Sequence, residues 1–92
     1  MRHLIAYDIA SPHRLQKAHR YLIQHAIPLQ NSVFLHIGSR EQARQCFDML
    51  CKMLNAKQDN LRFYPLPNNS IIHTLGTPAL PEGIILGGID TL

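Results

Sequence analysis

The residue in this sequence best suited to chemistry is a single carboxylate at the end of an apolar run. Asp8 falls near the end of residues 3–9 (HLIAYDI), just before Ser11-Pro12. An ionised carboxylate in such a place is costly unless it is solvated, hydrogen-bonded or bound to a metal. Two readings follow. Asp8 can accept hydrogen bonds from loop amides or help cap the next helix, a common structural use. Alternatively it is a ligand for a hard divalent cation such as Mg²⁺, which prefers oxygen and takes few protein ligands. One carboxylate makes a thin site, whereas two copies facing each other across a two-fold axis make a better one.

The segment after Asp8 concentrates positive charge in His13, Arg14, Lys17, His19, Arg20 and His25. On a helix, His13, Lys17, Arg20 and Gln24 share a polar face that Arg14 and Tyr21 adjoin. Such a face is often merely solvated. Here no acidic residue lies between Ser11 and Gly38 to balance it, so it reads as a phosphate-facing surface. Ser32, beside Gln30 and Phe34, either contacts phosphate or orients a water, or fills a half-exposed strand position.

The whole chain permits the same partner without demanding it. Its 92 residues carry nine Lys and Arg against six Asp and Glu, a formal charge of +3; the pI is about 9.2. That balance suits contact with phosphate. Other chemistries lack their patterns. No pair of histidines four apart accompanies a carboxylate as in a zinc helix, and no Cys-x-x-Cys or Gly-rich phosphate loop occurs. Cys46 and Cys51 would point about 140° apart on a helix and read as reduced thiols. With neither a signal peptide nor a membrane span expected, the protein is expected to be cytoplasmic.

The elements that must position these residues follow from periodicity. Residues 3–9 predict a short buried strand, and Ser11-Pro12 an N-cap with proline at the first helical position. Leu15, Ala18, Leu22 and Ala26, with Ile23 alongside, trace a helical stripe that ends before Pro28. Residues 29–37 (LQNSVFLHI) alternate and predict one strand. Ser39 and Gln42 then form a capping box for a second helix, buried through Ala43, Phe47, Leu50 and Leu54 with Cys46 beside them. A third strand is expected at 61–66, a further one at 71–75, and a very apolar last strand at 83–87. The order predicts an α+β, ferredoxin-like βαββαβ domain over residues 1–92 with an additional short C-terminal strand. The two helices would cover one sheet face. A domain this small gains from a dimer on the other, with the tail 76–92 expected to pack at that interface.

Several segments together carry a family likeness. Tyr7-Asp8-Ile9, Ser11-Pro12-His13-Arg14-Leu15, Pro28-Leu29-Gln30-Asn31-Ser32-Val33-Phe34 and Arg62-Phe63-Tyr64-Pro65-Leu66 resemble, in order and spacing, the small CRISPR-associated Cas-two family. Pro81-Glu82-Gly83-Ile84 resembles a C-terminal segment found in part of it. The resemblance implies a ferredoxin-like homodimer whose C-terminal strand often completes the partner's sheet. It implies that Asp8 of two subunits shares Mg²⁺ in an endoribonuclease or endonuclease, a phosphodiester hydrolase. It further implies the central dimer of the CRISPR adaptation complex, bridging the Cas-one integrase and binding duplex DNA or RNA through Arg14, Lys17, Arg20 and Ser32. Ser11 and Leu35 stand where many relatives carry acidic residues, which favours the DNA-binding role over cleavage. A toxin-like endoribonuclease of the virulence-associated D type, similar in fold, is the alternative.

Overall fold

The computed structural model describes residues 1–67, 69, 72–74 and 89–91. Its elements run β1 (Arg2–Asp8), α1 (Pro12–His25), β2 (Ile27–Gln30), β3 (Val33–Ile37), α2 (Arg40–Met53), β4 (Asn60–Leu66), β5 (Ile72–Thr74) and β6 (Ile89–Thr91). The first six form the ferredoxin-like order, with a four-stranded sheet arranged β2-β3-β1-β4. Neighbouring strands are antiparallel. β1 and β2, which both flank β3, are therefore parallel to each other, and α1 supplies the crossover that such a pair requires.

Both helices start where their side chains dictate. Ser11 Oγ accepts a hydrogen bond from the Arg14 amide at 3.3 Å, and Pro12 stands in the first turn, where its missing N–H costs nothing. At α2, Ser39 Oγ accepts from the Gln42 amide at 3.0 Å while Gln42 Oε1 accepts from the Ser39 amide at 2.8 Å. That reciprocal pair is the predicted capping box. α1 stops because Pro28 bars a helical Ile27, and the Ala26 amide closes the last turn on the Leu22 carbonyl at 2.8 Å.

The core lies between the helices and one sheet face. Ile5, Tyr7 and Phe34 from the sheet meet Ala18 and Leu22 of α1 and Cys46 and Leu50 of α2. Ile5, Leu22, Leu35, Leu50 and Phe34 are the largest fully buried side chains, each contributing about 1.5–3 kcal/mol of burial. Leu15 and Ile23, expected on the buried stripe of α1, lie at its exposed margins instead. α2 buries Ala43, Cys46 and Leu50, with Phe47 and Leu54 half-buried. The thiol of Cys46 is buried and that of Cys51 exposed, and the two are not bonded.

One expectation is corrected. Residues 29–37 are not a single strand but part of a hairpin, with Asn31-Ser32 at the turn between β2 and β3. Ser32 adopts φ 64°, the left-handed region that glycine usually fills. With no glycine there, alternation simply ran through the turn. The expected strand at 71–75 corresponds to β5, which pairs in parallel with β6. The strand expected at 83–87 lies outside the described residues, as does most of the tail 76–92.

Strand alternation divides the sheet residues by face. His3, Ile5 and Tyr7 of β1 point toward the helices; Leu4, Ala6 and Asp8 point to the opposite, helix-free face. Leu35 of that face is buried, while Ile37 and Tyr64 are exposed.

Candidate functional site

β1 ends at Asp8, which pairs with Asn60 of β4. Asp8 is exposed, and among the described residues its carboxylate has no hydrogen-bond or ion-pair partner. Both structural uses open to it are taken by other residues. Ser11 caps α1, and the loop between β1 and α1 is tied down by Asp59.

Asp59 is the organiser that sequence inspection missed. Its side chain is 1% exposed and receives Arg14 Nε at 2.7 Å. Arg14 Nη2 donates to the other carboxylate oxygen at 3.0 Å, which completes a bidentate pair. The same carboxylate accepts the Ala10 amide at 3.0 Å and the Asn55 amide at 2.8 Å. These bonds, the Arg14 guanidinium first among them, hold the Asp59 carboxyl well below the usual carboxylate range, although burial opposes them. One buried anion thus clamps the segment after Asp8, the first turn of α1 and the turn before β4.

The other sequence candidates are distributed around this clamp. Lys17 and Arg20 are exposed along α1. Arg14 has its guanidinium committed to Asp59 and, at 3.1 Å, to Gln58 Oε1. Ser32, in the β2–β3 turn, accepts the Tyr7 amide through its carbonyl at 3.1 Å, so the hairpin tip sits against the end of β1. Two residues unmarked by the sequence share the helix-free face with Asp8. Asn60 is its direct cross-strand neighbour, and Arg62, opposite Ala6, is the diagonal one. Diagonal neighbours lie about 7–8 Å apart, within reach of a long side chain. Arg62 also lies over the Tyr64 ring, 5.9 Å from its centroid.

No group of three or more His, Cys, Asp or Glu side chains suited to a metal occurs among the described residues. Each chain therefore offers one unengaged, solvent-facing carboxylate at this place. That donor fits Mg²⁺, which is commonly held by one or two carboxylates plus substrate phosphates and waters.

A second unmarked feature is the pair His3 and His36, opposite each other on β1 and β3 and buried beneath the helices. Their rings meet edge-on at 6.4 Å, and neither Nδ1 has a hydrogen-bond partner among the described residues. Burial lowers the pKa of both. The N-terminal amine and Arg40 add to the effect at His3; at His36 the neighbouring His3 and His25 and the N-terminal amine do so. The unfolded chain takes up these protons near pH 6.5, while the folded chain resists them, so folding stability falls as pH drops through about 6.5. Denaturant titrations of His3→Phe are expected to show a shallower loss of stability between about pH 7 and 5 than the wild type. A slope unchanged from the wild type would show that His3 does not carry this dependence.

The architecture is that of a ferredoxin-like domain whose first strand ends in an unengaged aspartate ahead of a basic helix. The family profile described as CRISPR associated protein Cas2 matches residues 1–72. The chain is 45% identical over 86 residues to CRISPR-associated endoribonuclease Cas2 1 of Nitrosomonas europaea, covering 94% of this chain and 82% of that protein. It is similar in structure to hypothetical protein TT1823 of Thermus thermophilus, with a TM-score of 0.76 and 28% identity over 88% of this chain and 96% of that one. Streptococcus pyogenes Cas2 gives a TM-score of 0.68 and 27% identity over 75% and 89% of the two chains. The chain belongs to the CRISPR-associated Cas2 family. No helix among the described residues is long and apolar enough to cross a membrane.

Proposed function

We propose that this protein acts in CRISPR spacer acquisition as a homodimeric nucleic-acid-binding unit bridging the Cas-one integrase, and that its paired Asp8 carboxylates serve metal-dependent phosphodiester cleavage. The observation that carries the reading is the division of labour among carboxylates. Asp59 organises the β1–α1 loop, leaving Asp8 exposed and unengaged at the strand end. A solvent-facing aspartate with no architectural duty is available for a ligand.

The helix-free sheet face, with Ile37 and Tyr64 exposed, is the surface on which two copies would meet. Across that two-fold, the Asp8 carboxylates of both protomers would together hold one Mg²⁺. Such an ion, when bound, polarises a phosphate oxygen and lowers the pKa of a coordinated water. Asn60 and Arg62 flank the carboxylate and hold the phosphate by hydrogen bonding and charge. Lys17 and Arg20 track the backbone further along α1, and Ser32 contacts it at the hairpin tip. Arg14 serves the same surface indirectly, by fixing the loop through Asp59. The endoribonuclease name of the Nitrosomonas europaea relative supports RNA as a substrate; the bridging role requires duplex DNA on the basic face of α1.

Binding tests the electrostatic part. Lys17→Glu with Arg20→Glu is expected to weaken DNA and RNA binding and to reduce the salt slope by about 1 for each phosphate no longer neutralised. A titration that finds affinity and slope unchanged would take α1 out of the interface. Failure of the purified protein to bind a Cas-one integrase would favour the toxin-like ribonuclease reading.

A further inference from the structure

A cavity of about 490 Å³ opens beside the end of β1, lined by Tyr7, Leu15, Gln16, His19, Asn31 and Ser32. We infer that it receives one unpaired nucleobase of a bound strand, a proposal that rests on the nucleic-acid reading above and assigns the base a place of its own. The volume lies in the range of small-molecule sites, about 300–1,000 Å³. What selects a base over other occupants is the chemistry of the lining.

The polar side-chain groups of the lining are two amides, two hydroxyls and an imidazole. His19 presents an exposed ring that meets Phe34 edge-on at 5.7 Å between centroids, while Tyr7, 7% exposed and stacked on Phe34 at 6.2 Å, forms the floor. An exposed ring of this kind is a stacking platform for any base. Gln16 and Asn31 each carry a donor and an acceptor side by side, the pattern that pairs with a base edge. Ser32, in the turn with φ 64°, adds a hydroxyl. Neither lysine, arginine nor carboxylate lines the cavity, so it suits the uncharged part of a nucleotide and not its phosphate.

Placement joins the cavity to the rest of the site. Tyr7 and Asp8 are consecutive, about 3.8 Å apart at Cα, and alternation turns them to opposite sheet faces at the strand end. A strand rounding that end puts a base against Tyr7 and its phosphate toward Asp8. Arg20 stands one turn beyond Gln16 on α1, where it meets the next phosphate. A paired base hides its hydrogen-bonding edge and is held in its stack, so the occupant comes from a single-stranded stretch or is turned out of a duplex.

Equilibrium binding in EDTA, which prevents metal-dependent cleavage, separates base from backbone. The probes are a short single strand and an abasic strand of the same length and charge. The full-length protein is expected to prefer the base-bearing strand roughly tenfold or more. His19→Ala with Asn31→Ala, which removes the stacking ring and an edge-pairing amide, should bring that preference close to one while leaving affinity for the abasic strand unchanged. Both residues are exposed, and thermal melts check that the variant is folded. Equal binding of both strands by the wild type, with the affinity still salt-dependent, would overturn the base site and leave the nucleic-acid reading standing. A preference that survives in the double variant would also overturn it. Binding of neither strand at low salt would remove both.

Discussion

Asp8→Asn is expected to slow metal-dependent cleavage of RNA or DNA by a hundredfold or more, on the order of the effect of removing even the groups that support a metal ligand. Asparagine keeps the size and one oxygen of the side chain but removes the charge that attracts a hard cation. Because Asp8 is exposed and has no partner among the described residues, folding should be unaffected. Melting temperature and affinity for nucleic acid in EDTA are therefore expected to match the wild type. Cleavage assays with Mg²⁺ and Mn²⁺, beside those two controls, check the prediction. A variant that cut as well as wild type would sink the cleavage part of the proposal, as would a wild type that cut nothing. Either result would leave the bridging role resting on the basic face of α1.

The second large effect concerns the clamp. Asp59→Asn replaces one carboxylate oxygen by an NH₂ that opposes the Arg14 and Asn55 donors, leaving a partly buried guanidinium without its anion. Loss of one partner of a buried charged pair is among the costlier single changes. Asp48→Asn provides the internal contrast. Its pair with Arg44 spans 4.0 Å, with the Arg44 side chain 83% and the Asp48 side chain 61% exposed, so removing it should barely register. Chemical denaturation of the two variants at neutral pH is expected to show a clear drop in stability for Asp59 and almost none for Asp48.

The pH dependence of the clamp has a definite sign. The unfolded carboxyl of Asp59 titrates near 3.9, while the folded one stays ionised to much lower pH. The unfolded chain therefore binds a proton that the folded chain refuses. The contribution of Asp59 is complete at neutral pH and is lost as pH falls through about 4 toward the folded value. Asp59→Asn should flatten that part of the acid limb, and an acid limb identical to the wild type would contradict the clamp. The Ala10 amide also binds Asp59, so the variant loosens the segment that carries Asp8.

Most of the six-element core was legible because its signals are local. Ser11-Pro12 and the Ser39–Gln42 box mark helix starts through bonds that span three residues. The 3.6-residue stripe of α2 and the apolar β1 follow directly from side-chain spacing. The β2–β3 hairpin was hidden because its turn uses Asn31-Ser32, and nothing in a serine announces a positive φ. Leu15 and Ile23 satisfied the periodicity of α1 yet lie at its exposed margins, since the width of the buried stripe depends on how the helix sits on the sheet.

Of the site, the strand-end aspartate and the basic face of α1 were legible, and the partnerships across the fold were not. Asp8 drew attention because a charge ends an apolar strand. The partnership of Arg14 with Asp59 spans 45 residues: in its own segment Arg14 reads as part of a phosphate-facing helix, and nothing in the segment of Asp59 points back to it. Asn60 and Arg62 join Asp8 only through the β1–β4 register, which fixes which residues share a face. His3 and His36 are likewise brought together only by the β1–β3 register.

If Asp8 is kept free to work with its counterpart in a second copy, the two carboxylates must meet at a shared metal. A crystal structure of the dimer grown with Mn²⁺ would show this through the anomalous signal of the metal. One peak is expected on the two-fold axis, within coordination distance of both Asp8 carboxylates. A dimer that holds the two carboxylates far apart, with no metal at either, would contradict the shared site.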